Sequence, residues 1–175
     1  MQKISIVIPV YNEEGNVTQL HEEVKKVCEK EKYTYEIIFI DDGSKDQTGQ
    51  KIQKLKPVKY IKFRKNFGQT SAMDAGIKSA QYPYIITMDG DRQNDPEDIP
   101  ELVDYLEKNH LDIVSGWRKN RKDPFFKNFI SRGAHVLRHF LINDGIHDSG
   151  CSLKIYKKEC FETLDLYGEM HRFIP

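Results

Sequence analysis

A chain of 175 residues that is 38% hydrophobic and 31% charged carries enough apolar material for a core and too much for a disordered segment. Lys plus Arg and Asp plus Glu both total 27, so bulk charge points to no polyanionic partner; three cysteines without a C-x-x-C exclude a disulfide framework. No apolar run approaches the roughly 18 residues of a membrane span and no signal-peptide pattern opens the chain, so a soluble, cytoplasmic protein is expected.

Ile4 to Val10 reads as a strand of β-branched residues closed by Pro9, followed by the polar loop Tyr11-Asn12-Glu13-Glu14-Gly15. A helix follows, with Asn16 as the expected cap and Gln19 at the capping-box position. Val17, Leu20, Val24, Val27 and Cys28 recur at helical spacing on its apolar face. Tyr35 to Ile40 is a second strand, ending in Asp41-Asp42-Gly43-Ser44, and Asp46 is placed to cap a short helix carrying Ile52 and Leu55. Val58 to Phe63 reads as a third strand, and Gly68 to Ala80 as a helix of small residues able to lie close to a sheet.

Tyr84 to Met88 is a fourth strand, and it runs into Asp89-Gly90-Asp91. Beyond it, Asp95-Pro96-Glu97-Asp98 is a strong helix opening, with Ile99, Leu102, Val103 and Leu106 on the buried face. Asp112 to Ser115 reads as a fifth strand, residues 125–141 as a helix, and Cys151 to Tyr156 as a last strand before a helical tail. Strands alternating with helices predict an α/β fold, a mainly parallel sheet with helices on both faces, in one domain over residues 1–175.

Charge is uneven along this frame. Asp89 to Glu107 holds eight acids and one base, whereas Gly116 to Phe140 holds seven bases and one acid. In a parallel sheet the carboxyl ends of the strands share one edge, where open α/β folds bind ligands. The Pro9 to Glu13 loop, Asp41-Asp42 and Asp89-x-Asp91 are thereby expected to converge. Read alone, Asp-Gly-Asp is a turn and Asp41-Asp42-Gly43-Ser44 a turn plus a cap. Read together, they suit Mg²⁺ or Mn²⁺ on a phosphate ligand, since hard cations take carboxylate oxygens. No G-x-G-x-x-G follows the first strand and no P-loop exists, so dinucleotide and P-loop phosphate binding are excluded. Nucleic acid fits poorly, because Phe125, Phe126 and Phe129 suit a buried or membrane-facing helix side better than base stacking.

Six stretches carry a resemblance: IVIPVYNEE at 6–14, DDGSKDQT at 41–48, NFGQTSAMDAG at 66–76, MDGDRQNDPEDI at 88–99, GWRKNRKD at 116–123 and HRFIP at 171–175. In this order they resemble the inverting family-two glycosyltransferases. The match is closest to the polyprenyl-phosphate branch, which is similar to dolichol-phosphate mannose synthase and bacterial undecaprenyl-phosphate sugar transferases. The resemblance implies a GT-A-like fold, a nucleotide-sugar donor and a polyprenyl phosphate acceptor at the inner face of the cell membrane.

It also implies roles for residues. Pro9, Tyr11, Glu13 and Asp41 or Asp42 would line the nucleotide pocket; Asp89 and Asp91 would be the metal and diphosphate residues, with Gln93 an added ligand. Arg118 and Arg132 would face phosphates of donor or acceptor. The branch usually reads D-x-D-L-Q, whereas position 92 here is Arg. An anionic lipid phosphate would need cations more than a general base, and the basic segment supplies them. The rival is a sugar-hydroxyl acceptor, for which Asp148 in His147-Asp148-Ser149-Gly150 is the candidate base, or else a positioning residue. A receiver-like phospho-switch would place an acid pair after the first strand, where Tyr11-Asn12-Glu13 stands instead. Because relatives of this branch continue beyond H-R-F-I-P, a catalytic domain shortened at its carboxyl terminus is expected. A homo-oligomer is compatible with these features.

Overall fold

The computed structural model describes residues 2–117, 150–162, 166 and 168. The chain forms β1 (Lys3–Val10), α1 (Val17–Lys30), β2 (Thr34–Asp41), α2 (Thr48–Ile52), β3 (Lys59–Lys62), α3 (Gln69–Ser79) and β4 (Tyr84–Thr87). A 3-10 turn at Pro96–Asp98 leads into α4 (Ile99–Lys108), then β5 (Ile113–Ser115), β6 (Lys154–Lys157) and a second 3-10 turn at Lys158–Phe161. The helix expected over residues 125–141 lies outside the described residues.

The sheet runs β3-β2-β1-β4-β6-β5. Its first four strands are parallel, as the strand-helix alternation predicts. β6 is antiparallel to both β4 and β5, so the fifth and sixth strands exchange the places a simple succession would give them. The antiparallel step has a consequence for function. A strand running backwards begins where its parallel neighbours end, which brings the residues before Lys154 to the edge that carries Asp89.

Alternation along the strands divides the core in two. Ile4, Ile6 and Ile8 of β1, Ile37 and Phe39 of β2 and Ile86 of β4 face one way, onto α1 and α4. Val7, Ile38, Ile40 and Ile85 face the other way, onto α3 through Ala72, Met73 and Ile77. Both faces of these strands are covered, which is why they read as unbroken apolar runs rather than alternating ones. The small residues of α3 do what their size suggests: a Cβ added at Gly76 would collide with Val7 and Ile40. All five apolar positions of α1 picked by spacing are buried, and His21 is the one polar residue of the helix buried with them.

Local details depart from expectation at the ends of elements. Asp95 caps as predicted, its Oδ1 accepting from the Glu97 amide at 3.0 Å. Asp46 accepts from the Thr48 amide at 2.9 Å at the start of α2. Asn16 does not cap α1; its Nδ2 donates to Glu13 Oε2 at 2.6 Å instead. The last strand starts at Lys154 rather than Cys151, because the three residues before it fold over the loop after β4.

Candidate functional site

At the carboxyl edge of the parallel strands lies a cavity of about 480 Å³. The end of β1 contributes Pro9, Val10, Tyr11 and Glu13, and the end of β2 contributes Asp42. The segment after β3 adds Asn66, Gly68 and Gln69, and the end of β4 adds Asp89, Gly90 and Asp91. The convergence expected of a parallel sheet is therefore realised for four strand ends.

Backbone and side chains of neighbouring loops tie this edge together. The Asn12 amide donates to Ser44 Oγ at 2.9 Å and Asn12 Oδ1 accepts from the Lys45 amide at 2.8 Å. The Glu13 amide donates to Thr48 Oγ1 at 2.8 Å, and Glu14 Oε2 accepts from the Gln47 amide at 2.9 Å. The loop after β1 is thus held to the loop after β2, with Tyr11 left exposed beside the cavity.

The two acids after β2 have different surroundings. Asp41 is fully buried, its Oδ1 accepting from the Ser44 amide at 2.7 Å and its Oδ2 from Tyr60 Oη at 2.9 Å, and it is not among the cavity-lining residues. Burial, and then the bond to Asp41, push the Tyr60 phenol above its ordinary range, so it remains a donor. Asp42 lines the cavity, and its two oxygens also accept from the Phe67 amide at 2.7 Å and the Gly68 amide at 2.9 Å.

After β4 the carboxylates are less enclosed. Gln69 Nε2 donates to Asp89 Oδ1 at 2.6 Å, and the Gln93 amide donates to Asp91 Oδ1 at 3.0 Å. Between them only glycine fits: a Cβ at Gly90 would stand 2.6 Å from Val10 Cγ1 and 3.3 Å from the Pro9 carbonyl oxygen. That close approach explains the D-G-D order, since it presses the loop against the end of β1. Arg92 follows at φ 62°, and its guanidinium forks onto Glu23 of α1, Nη2 to Oε1 at 2.7 Å and Nε to Oε2 at 3.3 Å. The Arg92 hydrogen bond holds the Glu23 carboxyl below its ordinary value. The residue that departs from D-x-D-L-Q therefore points at α1.

Gln93 is exposed and does not line the cavity. Asn94 is buried and donates from Nδ2 to Ser152 Oγ at 2.6 Å, while Thr87 Oγ1 donates to the Ser152 carbonyl at 3.0 Å. The start of β6 is thereby fastened to the loop after Asp89. Lys154, buried and in register with Thr87, stands on the same strand. Arg118, Arg132 and Asp148 lie outside the described residues.

The lining holds four carboxylates, Glu13, Asp42, Asp89 and Asp91, and among the described residues no Lys or Arg. A phosphate ligand here would need positive charge from elsewhere. Among the described residues no cluster of three or more His, Cys, Asp or Glu forms a ready cation cage. Two carboxylates completed by phosphate oxygens are nonetheless how Mg²⁺ is commonly held, so this donor set fits a cation shared with the ligand. Asn66, Gly68 and Gln69 were given no role by sequence reasoning. Their signal was positional: they follow a third strand as the other site loops follow theirs.

Comparison with known proteins identifies the family and the fold. A family model described as "Glycosyl transferase family 2" matches residues 5–165. A dodecaprenyl-phosphate galacturonate synthase from Rhizobium johnstonii is 44% identical over 99% of this chain and 53% of its own length. An undecaprenyl-phosphate 4-deoxy-4-formamido-L-arabinose transferase from Proteus mirabilis is 34% identical over 100% of this chain and 55% of its own. The chain thus spans about half the length of the curated relatives it matches. Among solved structures, a mannosyl-3-phosphoglycerate synthase from Rubrobacter xylanophilus superposes with a TM-score of 0.75 at 14% identity, over 91% of this chain and 54% of that one. A mannosyltransferase from Pyrobaculum calidifontis, in complex with GDP-Man and Mn²⁺, gives 0.69 at 17% identity, over 94% and 47%. At these identities the likeness is one of fold, the GT-A arrangement.

Proposed function

From a chain that belongs to glycosyl transferase family 2, we propose an enzyme that moves a sugar, with inversion, from a nucleotide-sugar donor to a polyprenyl phosphate. The observation that carries the reading is the cavity at the strand ends, lined by Tyr11, Asp42, Asp89 and Asp91. The relatives' names supply the acceptor class, because both specify a polyprenyl phosphate.

In this reading the nucleoside lies between Pro9, Tyr11 and Asp42, and the diphosphate lies toward Asp89 and Asp91. Mg²⁺ or Mn²⁺, held by these two aspartates together with the diphosphate, supplies neutralisation of the leaving group's charge when bound. The chain's own contribution is positional. Gly90 seats the loop against β1, Gln69 orients Asp89, and the Gln93 amide orients Asp91. A lipid phosphate is already anionic near neutral pH, so the acceptor needs alignment and cations rather than a strong base. We assign those cations to Arg118 and Arg132, leave Asp148 a positioning role, and place the protein peripherally at the inner membrane face. Among the described residues no helix is long and apolar enough to cross a membrane.

Titration calorimetry with UDP-, GDP- and CDP-sugars, with and without Mn²⁺, tests the donor site. One donor class is expected to bind more tightly with Mn²⁺, and Asp91→Ala to weaken that binding by about 10²-fold or more. Binding indifferent to both metal and Asp91 would overturn the reading. Transfer from that donor to undecaprenyl phosphate in detergent micelles tests the acceptor.

A further inference from the structure

Gln69 enters α3 as its first residue, and both ends of the residue are held. Its backbone follows directly on Phe67 and Gly68, whose amides are clamped by the two oxygens of Asp42. Its side chain donates from Nε2 to Asp89 Oδ1 at 2.6 Å. A carboxylate can only accept, so this contact decides which way the amide is turned: the NH₂ group faces Asp89 and the carbonyl Oε1 faces away from it. Gln69 lines the cavity, and among the described residues no group donates to Oε1.

An acceptor fixed in this way is selective by chemistry. It repels phosphate and carboxylate oxygens, which are acceptors themselves, and accepts from a hydroxyl. Resting on the donor reading above, we propose that Gln69 is a donor-binding residue that accepts a hydrogen bond from a sugar hydroxyl of the nucleotide-sugar, the ribose 2′-hydroxyl or one on its transferred hexose. Gln69 also links the Asp42 and Asp89 sides of the cavity, since the residues clamped by Asp42 directly precede it in the chain. Replacing the amide by an apolar group of similar length removes the acceptor while leaving the helix entry intact.

Calorimetric affinities of the parent protein and Gln69→Met are compared for UDP, GDP, UDP-glucose, UDP-galacturonate, GDP-mannose and the 2′-deoxy forms of UDP and GDP, with thermal unfolding recorded for both proteins. Gln69→Met is expected to weaken the bound nucleotide-sugar by about tenfold to hundredfold. If the hydroxyl is on the hexose, the nucleotide-sugars are weakened more than the bare nucleotides. If it is the ribose 2′-hydroxyl, the bare nucleotides are weakened as much as the nucleotide-sugars, and their 2′-deoxy forms are weakened less. Equal binding of every probe by the two proteins overturns the inference and leaves the donor reading standing. Equal weakening of all probes, deoxy forms included, also overturns it, because Gln69 then acts only by holding Asp89. A parent protein that binds none of the nucleotides or nucleotide-sugars overturns the donor reading and this inference with it.

Discussion

Two acid pairs stand at strand ends on either side of β1 and share nearly the same local composition, yet their surroundings differ. After β2, all four oxygens of Asp41 and Asp42 accept hydrogen bonds from this chain's own amides or from Tyr60. After β4, Asp89 accepts from the Gln69 side-chain amide and Asp91 from the Gln93 backbone amide, and both aspartates line the cavity. The first pair closes turns and anchors the loop at residues 66–68. The second is displayed on a loop that Gly90 presses against β1. A carboxylate at a strand end is thus structural to the extent that backbone donors surround it, and composition alone does not say which case applies.

The comparison breaks most sharply at Asp41. Asp41→Ala would leave the Ser44 amide and the Tyr60 hydroxyl without their buried partner, with an expected loss of about 3 kcal/mol in urea unfolding. An Asp41→Ala protein as stable as the parent would erase the distinction between the pairs. Tyr60→Phe removes one donor from the same carboxylate, and a loss of about 1–2 kcal/mol is expected by the same measurement.

The smallest effect is expected on the β4 side, at the fork between Arg92 and Glu23. Both side chains are about one-third exposed, so Glu23→Gln should lower stability by no more than about 1 kcal/mol. Its pH dependence is more telling than its size. Because the folded-state value of Glu23 lies below the unfolded one, the contribution is complete above the ordinary carboxylate range and is lost as pH falls through the lower folded value. Parent and Glu23→Gln stabilities should therefore converge in acid and separate toward neutral pH. Curves that stay parallel would remove Arg92 as a tether of the Asp91 loop.

Much of this was legible before any coordinates. β1, β2 and β4 announced themselves as β-branched runs because they are buried on both faces, and α1 did so because its five apolar residues all point to one core. Asp95 showed as a cap because an Asp before Pro and acids is a local arrangement. Asn16 misled for the converse reason: its side chain turns its Nδ2 to donate to Glu13 rather than its Oδ1 to accept from the helix amides. Gln69 was invisible, since a polar residue at a helix start has many uses and its partner Asp89 lies 20 residues on.

Local pattern thus accounted for the elements, their order and the edge at which the acids gather, because hydrophobic period, caps and parallel topology are short-range or follow from handedness. Folding in three dimensions settled what short-range pattern cannot hold: that β6 runs backwards between β4 and β5, that Asp41 turns inward while Asp42 lines the cavity, and that Arg92 reaches Glu23 across 69 residues. Each of these depends on which distant donor arrives beside a given group, and that is a property of packing rather than of neighbours in the chain.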